Sequence, residues 1–237
     1  MSEESAAQQR IRLAAERGAT ELNLSNWRLT ALPAKIGQPR ALMRLDLSFN
    51  RLTALPAEIG QLTALETLHL SFNRLTALPA EIGQLRAPEE LDLSGNQLTA
   101  LPAEIGQLRA LKELILGSNQ LTALPAEIGQ LTALERVDLS GNQLTELPAE
   151  IGQHRALKWL DLSGNPLEVP PPEVADKGIR AIRDYFRQLE DEGKDYLYEA
   201  KLLIVGEAGA GKTTLARKIQ DANCPLPGEE ETTRGID

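Results

Sequence analysis

The chain has one cysteine, Cys224, among 237 residues, and only 3% of them are aromatic. A lone thiol cannot close an intramolecular disulfide, which excludes a disulfide-stapled fold and favours a reducing compartment. No apolar run approaches ~18 residues, so no membrane-spanning helix is expected. The N-terminal stretch MSEESAAQQRIRLAAERGA lacks an apolar core and does not read as a secretory signal. A cytoplasmic location follows as the expectation. Histidine is nearly missing, and His69 and His154 fall in different repeats on opposite sides of the coil, which leaves no zinc site. Positive charge is in deficit: 25 Lys and Arg face 34 Asp and Glu, a net charge of −9, which disfavours nucleic acid and anionic membranes as partners. With so few aromatics, the core must be built from aliphatic side chains.

What is present is a repeat. Pro33, Pro56, Pro79, Pro102, Pro125 and Pro148 follow one another at 23-residue intervals, and Pro171 continues the series. The unit reads L-x-L-S-x-N-x-L-T-x-L-P-A-E-I-G-Q-L-x-A-L-x-x and starts at Leu22, Leu45, Leu68, Leu91, Leu114, Val137 and Leu160, giving seven units. The alternating L-x-L is a short strand with its leucines inward. The asparagines Asn50, Asn73, Asn96, Asn119, Asn142 and Asn165 fall at the bend after the strand, where a stacked amide ladder can satisfy backbone groups of neighbouring coils. Leu-Pro ends strand pairing. Ala-Glu-Ile-Gly-Gln-Leu returns as a helical or 3₁₀ turn with Ile59, Ile82, Ile105, Ile128 and Ile151 in the core. Residues 22–172 therefore resemble the leucine-rich-repeat family. The expected fold is an α/β solenoid with a curved parallel sheet on its concave side. Residues 1–21 read as an N-terminal capping helix with Ile11, Leu13 and Ala14 on its apolar side, and Trp27 takes the first ladder position as a capping departure.

In such a solenoid the inward leucines build the fold and the outward strand positions carry specificity. The position between the strand leucines reads Asn23, Asp46, His69, Asp92, Ile115, Asp138, Asp161. The position before them reads Glu21, Arg44, Thr67, Glu90, Glu113, Arg136, Trp159. Phe49 and Phe72 follow the strand where later units have Gly95, Ser118, Gly141 and Gly164. Phe49, Phe72 and Trp159 are the candidate partner-binding residues, against the alternative that they are scattered exposed apolar groups. The Asp column reads as a solvated face that keeps the sheet soluble. His154 and Pro88, each in a leucine position, read as local packing defects.

After Pro170-Pro171-Pro172 the repeat stops. Residues 173–192 read as one helix with Ile179, Ile182, Phe186 and Leu189 inward and Arg180, Arg183, Asp184 and Arg187 outside. Together with residues up to 195 it forms a cap, a linker between domains, or both. Glu190 to Asp195 reads as a polar break.

Residues 196–237 are of another kind. Lys201 to Val205 is a continuous apolar run suited to a buried parallel strand. It leads into Gly206-Glu207-Ala208-Gly209-Ala210-Gly211-Lys212-Thr213, then Thr214 and a helical pattern through Gln220. Strand, G-x-x-x-x-G-K-T loop and helix are the context of a phosphate-binding P-loop. The glycines let backbone N–H groups wrap a phosphate, Lys212 would reach the β- and γ-phosphates, and the Thr213 hydroxyl would take Mg²⁺. The closing Thr232-Thr233-Arg234-Gly235-Ile236-Asp237 resembles the first switch of Ras-like GTPases, with Thr233 as the residue that closes on Mg²⁺ and the γ-phosphate. Repeats of the LPAEIG type, an amphipathic helix, KLLIVGEAGAGKTTL and TTRGID together resemble a Roco protein of bacterial type. That resemblance implies a Roc GTPase domain and a COR dimerisation domain, GTP or GDP with Mg²⁺ as cofactors, GTP hydrolysis, and a homodimeric parent protein. It also implies that the repeats contact a protein partner or the parent's own Roc and COR domains. No DxxG and no NKxD follow Asp237, so this chain reads as a fragment, expected to be monomeric, and residues 201–237 are expected to form no competent nucleotide site. The other reading is a stand-alone scaffold with an inert P-loop remnant.

Overall fold

The structure is a computed structural model that describes residues 3–196, with side chains through residue 191. The chain divides into two units, and the first, Met1–Leu189, holds everything below except the end of the last helix. The P-loop and switch residues fall outside the described residues.

Seven three-residue strands form one parallel sheet in chain order: β1 (Glu21–Asn23), β2 (Arg44–Asp46), β3 (Thr67–His69), β4 (Glu90–Asp92), β5 (Glu113–Ile115), β6 (Arg136–Asp138) and β7 (Trp159–Asp161). The register advances by one repeat, pairing Leu22 with Leu45, Leu45 with Leu68, and so on to Val137 with Leu160. Each strand ends well before the Leu-Pro dipeptide, which opens the return turn. Pro56, Pro79, Pro102, Pro125 and Pro148 stand at the N-caps of the 3₁₀ helices Ala57–Gln61, Ala80–Gln84, Ala103–Gln107, Ala126–Gln130 and Ala149–Gln153. Proline supplies the extended φ there and has no N–H to leave unpaired. The return turns are 3₁₀ rather than α-helical.

The core is one aliphatic column. The inward strand residues from Leu22 to Val137 and Ile59, Ile82, Ile105, Ile128 and Ile151 are buried, the isoleucines at 1% exposure or less, whereas Leu160 of the last coil is partly buried. Each coil leaves its leucines open along the axis, and the next coil covers them, which is why the fold needs neighbours. The asparagine ladder forms as the repeat requires. Asn96 Nδ2 donates to the Leu70 and Leu93 carbonyls, both at 3.0 Å, and its Oδ1 accepts the Leu75 N–H at 3.0 Å. Asn73, Asn119 and Asn142 repeat this pattern. One amide thus satisfies three backbone groups of two successive coils that water cannot reach.

At the N-terminal end α1 (Glu3–Arg17) buries Ala7, Ile11 and Ala14 against the first coil. Leu13 is only partly covered. Trp27 packs on the core edge and carries Arg10 over its ring at 5.4 Å.

At the C-terminal end the single helix expected over 173–192 is two: α2 (Pro172–Ala175) and α3 (Ile179–Tyr196). Gly178 separates them at φ +81°, a left-handed conformation that only glycine adopts at little cost. α3 then runs through the polar stretch expected to break it, since Glu, Asp and Lys are compatible with helix and one glycine costs only about 1 kcal/mol. Ile179 and Ile182 are buried and Phe186 is half-buried, whereas Leu189 is 44% exposed and does not join the core. Arg183, expected on the outside, turns inward and donates to the carbonyls of His154 and Leu157 in the last return turn. The His154 carbonyl also accepts the Leu157 N–H at 3.3 Å, and the guanidinium ties both carbonyls of this turn to α3. Among the described residues no helix is long and apolar enough to cross a membrane.

Candidate interaction surface

The outward face of the sheet is built from two columns, one before and one between the strand leucines. Consecutive positions lie one coil apart, so charges meet at 23-residue spacing. Arg44 pairs with Glu21 at 3.4 Å in the first column, and in the positions just before the strands Lys112 pairs with Glu89 at 2.8 Å and Lys158 with Glu135 at 2.5 Å. His69 Nε2 lies 3.1 Å from Glu90 Oε1. The hydrogen bond with Glu89 raises the Lys112 pKa, and the hydrogen bond from Lys158 lowers that of Glu135.

The aspartate column does more than keep the sheet soluble. Asp46, Asp92, Asp138 and Asp161 each accept the N–H two residues on through Oδ1, at 2.9 Å in every case. Ser94 and Ser140 add their hydroxyls at 2.7 Å, and Asn23 does the same for Ser25. These are Asx turns that end the strands. The D-x-S spacing carried that signal. His69 and Ile115 interrupt the column: isoleucine has no acceptor, and the His69 ring is directed to Glu90.

Three residues after the Asx residue, the backbone turns left-handed. Phe49, Phe72 and Ser118 have φ of 57°, 55° and 57°, and Gly95, Gly141 and Gly164 stand at 64°, 62° and 71°. Backbone pairing runs on through this column, as in Phe49 N–H to Ser71 O at 2.9 Å and Phe72 N–H to Ser94 O at 2.9 Å. Non-glycine residues cost about 1–2 kcal/mol each in this conformation. The alternation of Phe with Gly and Ser in one column was the legible sign of it. Phe49 and Phe72 stack with centroids 4.8 Å apart and planes at 13°, while 57% and 54% of their surface stays exposed. The Phe72 ring in turn lies over Gly95, where a Cβ would sit 2.8 Å from its Cδ1. The two phenylalanines therefore form one apolar ledge along the rim of the sheet, next to an acidic column.

Trp159 stands apart, on β7. It is 39% exposed, and the Arg136 guanidinium lies 4.2 Å from its ring centroid, a cation–π contact that sequence reading did not anticipate. The three candidate aromatics thus divide into a pair and a single residue four coils away. Gly206, Glu207, Ala208, Gly209, Ala210, Gly211, Lys212, Thr213, Thr214 and Thr233 lie outside the described residues.

His154 is buried at 1% exposure in a leucine position of the core. Neither ring nitrogen has a hydrogen-bond partner of acceptable geometry. Burial pushes its pKa down, the nearby Leu131 and Ile128 carbonyls oppose this only in part, and the Arg183 cation adds to the lowering.

Comparison with known proteins agrees with this architecture. The family described as Leucine rich repeat matches residues 17–75, 40–98, 63–121 and 109–167. Two curated relatives, both named Roc-COR-CHAT protease, match short stretches. One, from an unknown prokaryotic organism, is 35% identical over 60 residues, 25% of this chain and 6% of that protein. The other, from Runella zeae, is 41% identical over 44 residues, 19% of this chain and 5% of that protein. The chain therefore spans only a small part of the relatives it matches. Among solved structures, a leucine-rich-repeat protein of Leptospira interrogans is 43% identical with a TM-score of 0.53, over 64% of this chain and 45% of that one. The PEPR1–AtPEP1 structure is 30% identical with a TM-score of 0.58, over 65% of this chain and 23% of that one. With the family covering more than half of its length, the chain belongs to the leucine-rich-repeat family.

Proposed function

We propose that this chain is the protein-interaction and regulatory region of a Roco-type GTPase, and that its sheet face contacts a protein partner or the parent's own Roc and COR domains. The observation that supports the binding role is the Phe49–Phe72 ledge. Two large apolar side chains are kept exposed and stacked, in a backbone conformation where glycine would be cheaper. Trp159 over Arg136 supplies a second anchor at the other end of the sheet. The support for the parent is separate: the G-x-x-x-x-G-K-T motif at Gly206–Thr213, the T-T-R-G-I-D segment, and the likeness to two proteins whose names include Roc and COR.

On this reading the parent binds GTP through Gly206 to Thr214, with Lys212 on the phosphates and Thr213 and Thr233 on Mg²⁺. The repeats regulate it only if their contacts differ between the GTP and GDP states. The test uses the longer protein that the reading requires. Its sequence should continue past Asp237 with DxxG and then NKxD, and Lys212→Ala should abolish GTP binding measured by calorimetry. Phe49→Ser with Phe72→Ser should leave the fold intact and change either nucleotide affinity or dimerisation. A continuation without the two GTPase motifs would sink the parent assignment. Unchanged affinity, dimerisation and partner binding in the double variant would sink the role of the ledge.

A further inference from the structure

The return side of the coils carries a glutamate column, Glu58, Glu81, Glu104, Glu127 and Glu150, and beside it a column without acidic residues. The residue two after each turn glutamine reads Arg40, Thr63, Arg86, Arg109, Thr132 and Arg155, with no acidic member. Arg40, Arg86 and Arg109 line one open groove of about 730 Å³ together with Gln61, Gln84 and Gln107. Neither Asp nor Glu is among its lining residues. Among the described residues, none of these three arginines has a carboxylate oxygen within 4.0 Å, although the protein carries nine more negative than positive charges. Arg17, Arg28, Arg51, Arg74 and Arg155 likewise have no carboxylate partner among the described residues, so what sets these three apart is that they converge on one groove without an acidic lining residue.

The groove has a structural cause in Pro88. In neighbouring coils the turn closes with a leucine N–H on the carbonyl three residues back: Leu65 to Leu62 at 3.0 Å, Leu111 to Leu108 at 2.9 Å and Leu134 to Leu131 at 3.1 Å. Leu62, Leu108 and Leu131 accordingly have ψ of 61°, 56° and 68°. Pro88 has no N–H to give, and Leu85 instead takes φ −63°, ψ 127°. The turn opens at the residue before Arg86, and Leu85 becomes part of the groove lining. The departure that looked like a packing defect in the sequence thus widens the return side where two arginines of adjacent coils stand together.

We infer that this groove binds an acidic, extended peptide segment of a protein partner, laid along the solenoid axis. Adjacent coils of a parallel sheet are about 4.8 Å apart, so Arg40 to Arg109 spans about 14 Å, or four to five extended residues. Each guanidinium offers a planar fork of donors to a carboxylate. The glutamine amides both donate and accept, which suits a peptide backbone between the acidic side chains. Ala110 gives the methylene groups of glutamate a small apolar floor, with Leu85 buried beneath. A phosphate chain would leave the amide oxygens and this floor unused. The site lies on a different face from the Phe49–Phe72 ledge and does not depend on the Roco reading.

The test is fluorescence anisotropy of a labelled hexaglutamate peptide with the full chain, at low and raised salt, with tripolyphosphate as the second probe. The expected result is saturable, salt-sensitive binding of hexaglutamate. Arg86→Ser with Arg109→Ser should weaken it about tenfold, the worth of two exposed charge pairs. Arg155→Ser, in the same column but outside the groove, should leave it unchanged. Pro88→Leu should close the turn and weaken binding while raising the thermal midpoint, which separates the groove from simple loss of charge. No saturable binding, an equal effect of Arg155→Ser, or undiminished binding by Pro88→Leu would overturn the site. Binding of tripolyphosphate without hexaglutamate would overturn the peptide as its ligand.

Discussion

Replacing His154 by leucine should stabilise the protein, and the structure sets the size and the pH dependence of the gain. The equivalent residues Leu62, Leu85, Leu108 and Leu131 are 0–2% exposed, so the site already has the shape of a leucine pocket. His154 fills it with two ring nitrogens that have no partner. A buried unsatisfied polar group costs about 1–3 kcal/mol, and Leu removes that cost while burying aliphatic surface. Arg183 keeps its bonds, because it donates to the backbone carbonyls of His154 and Leu157 and not to the ring. The expected gain is about 1–3 kcal/mol near pH 7.5, or roughly 2–4 °C in Tm per kcal/mol for a chain of this size. The pH dependence follows from the lowered pKa of the folded state. Below about pH 6.5, the ordinary histidine value, the unfolded chain takes up a proton that the folded chain refuses. Stability is therefore fully present above that value and falls as pH drops through it towards the folded pKa, by up to about 1.4 kcal/mol per pH unit. Urea denaturation of both proteins between pH 7.5 and 5.5 checks this. The advantage of His154→Leu should widen as pH falls. An advantage that stays constant, or reverses, would refute a neutral, unpartnered His154 in the core.

Three other substitutions test the columns. Asn96→Ala orphans the Leu75 N–H in the core and leaves the Leu70 and Leu93 carbonyls with only their bonds from Asn73 and Asn119, and should cost about 2 kcal/mol in denaturant unfolding; a loss under about 1 kcal/mol would mean that the ladder is replaceable by water. Asp138→Ala should cost about 1 kcal/mol by removing the acceptor for the Ser140 N–H and hydroxyl, whereas Asp138→Asn keeps an oxygen there and should stay within about 0.5 kcal/mol of the parent chain. Equal losses in the two variants would show that charge, not the turn bond, matters. Gly95→Ala should destabilise twice over, by about 1 kcal/mol from its φ of +64° and again by pushing the Phe72 ring aside. In a Phe72→Ser background only the first part should remain, so a double-mutant cycle showing no coupling would contradict the stacked ledge.

The solenoid was readable because its period is set by burial, and burial leaves a repeated mark on sequence. The 23-residue spacing placed all seven strands, their register and the ladder asparagines. The misreadings share a cause. Hydrophobic periodicity does not register a single left-handed residue, so Gly178 split the helix expected over 173–192 without disturbing the spacing of Ile179 and Ile182. It is equally silent on polar helix, so Glu190 to Asp195 looked like a break where α3 continues. Arg183 turns inward to donate to two carbonyls of the last return turn, a contact between cap and coil that no repeat pattern encodes. Of the surface, the exposure of Phe49, Phe72 and Trp159 was legible from register alone. The strain that holds the phenylalanines, the stack they form and the Arg136 contact of Trp159 required coordinates. The aspartate column was seen as solvated charge, and its turn-capping oxygens were overlooked although D-x-S spelled them out.

These particulars bear on how one repeat can carry separate surfaces. In a solenoid each coil touches only its neighbours, and the leucines, isoleucines and ladder asparagines already complete the stack. Every other position is then free to vary so long as it returns the backbone to register. The left-handed column shows this limit, since Phe49, Phe72 and Ser118 occupy it only by accepting the φ that glycine takes elsewhere. Pro88 shows it too, because the turn it opens is bridged by intact pairing on the strand side, where Glu89 and Glu90 donate to the Glu66 carbonyl at 2.7 and 3.0 Å. The irregular residues of this chain are therefore affordable because the regular ones are redundant from coil to coil. Departures from the repeat that leave register intact are where specificity can accumulate, and here they gather at two places on opposite faces, the phenylalanine ledge and the arginine groove.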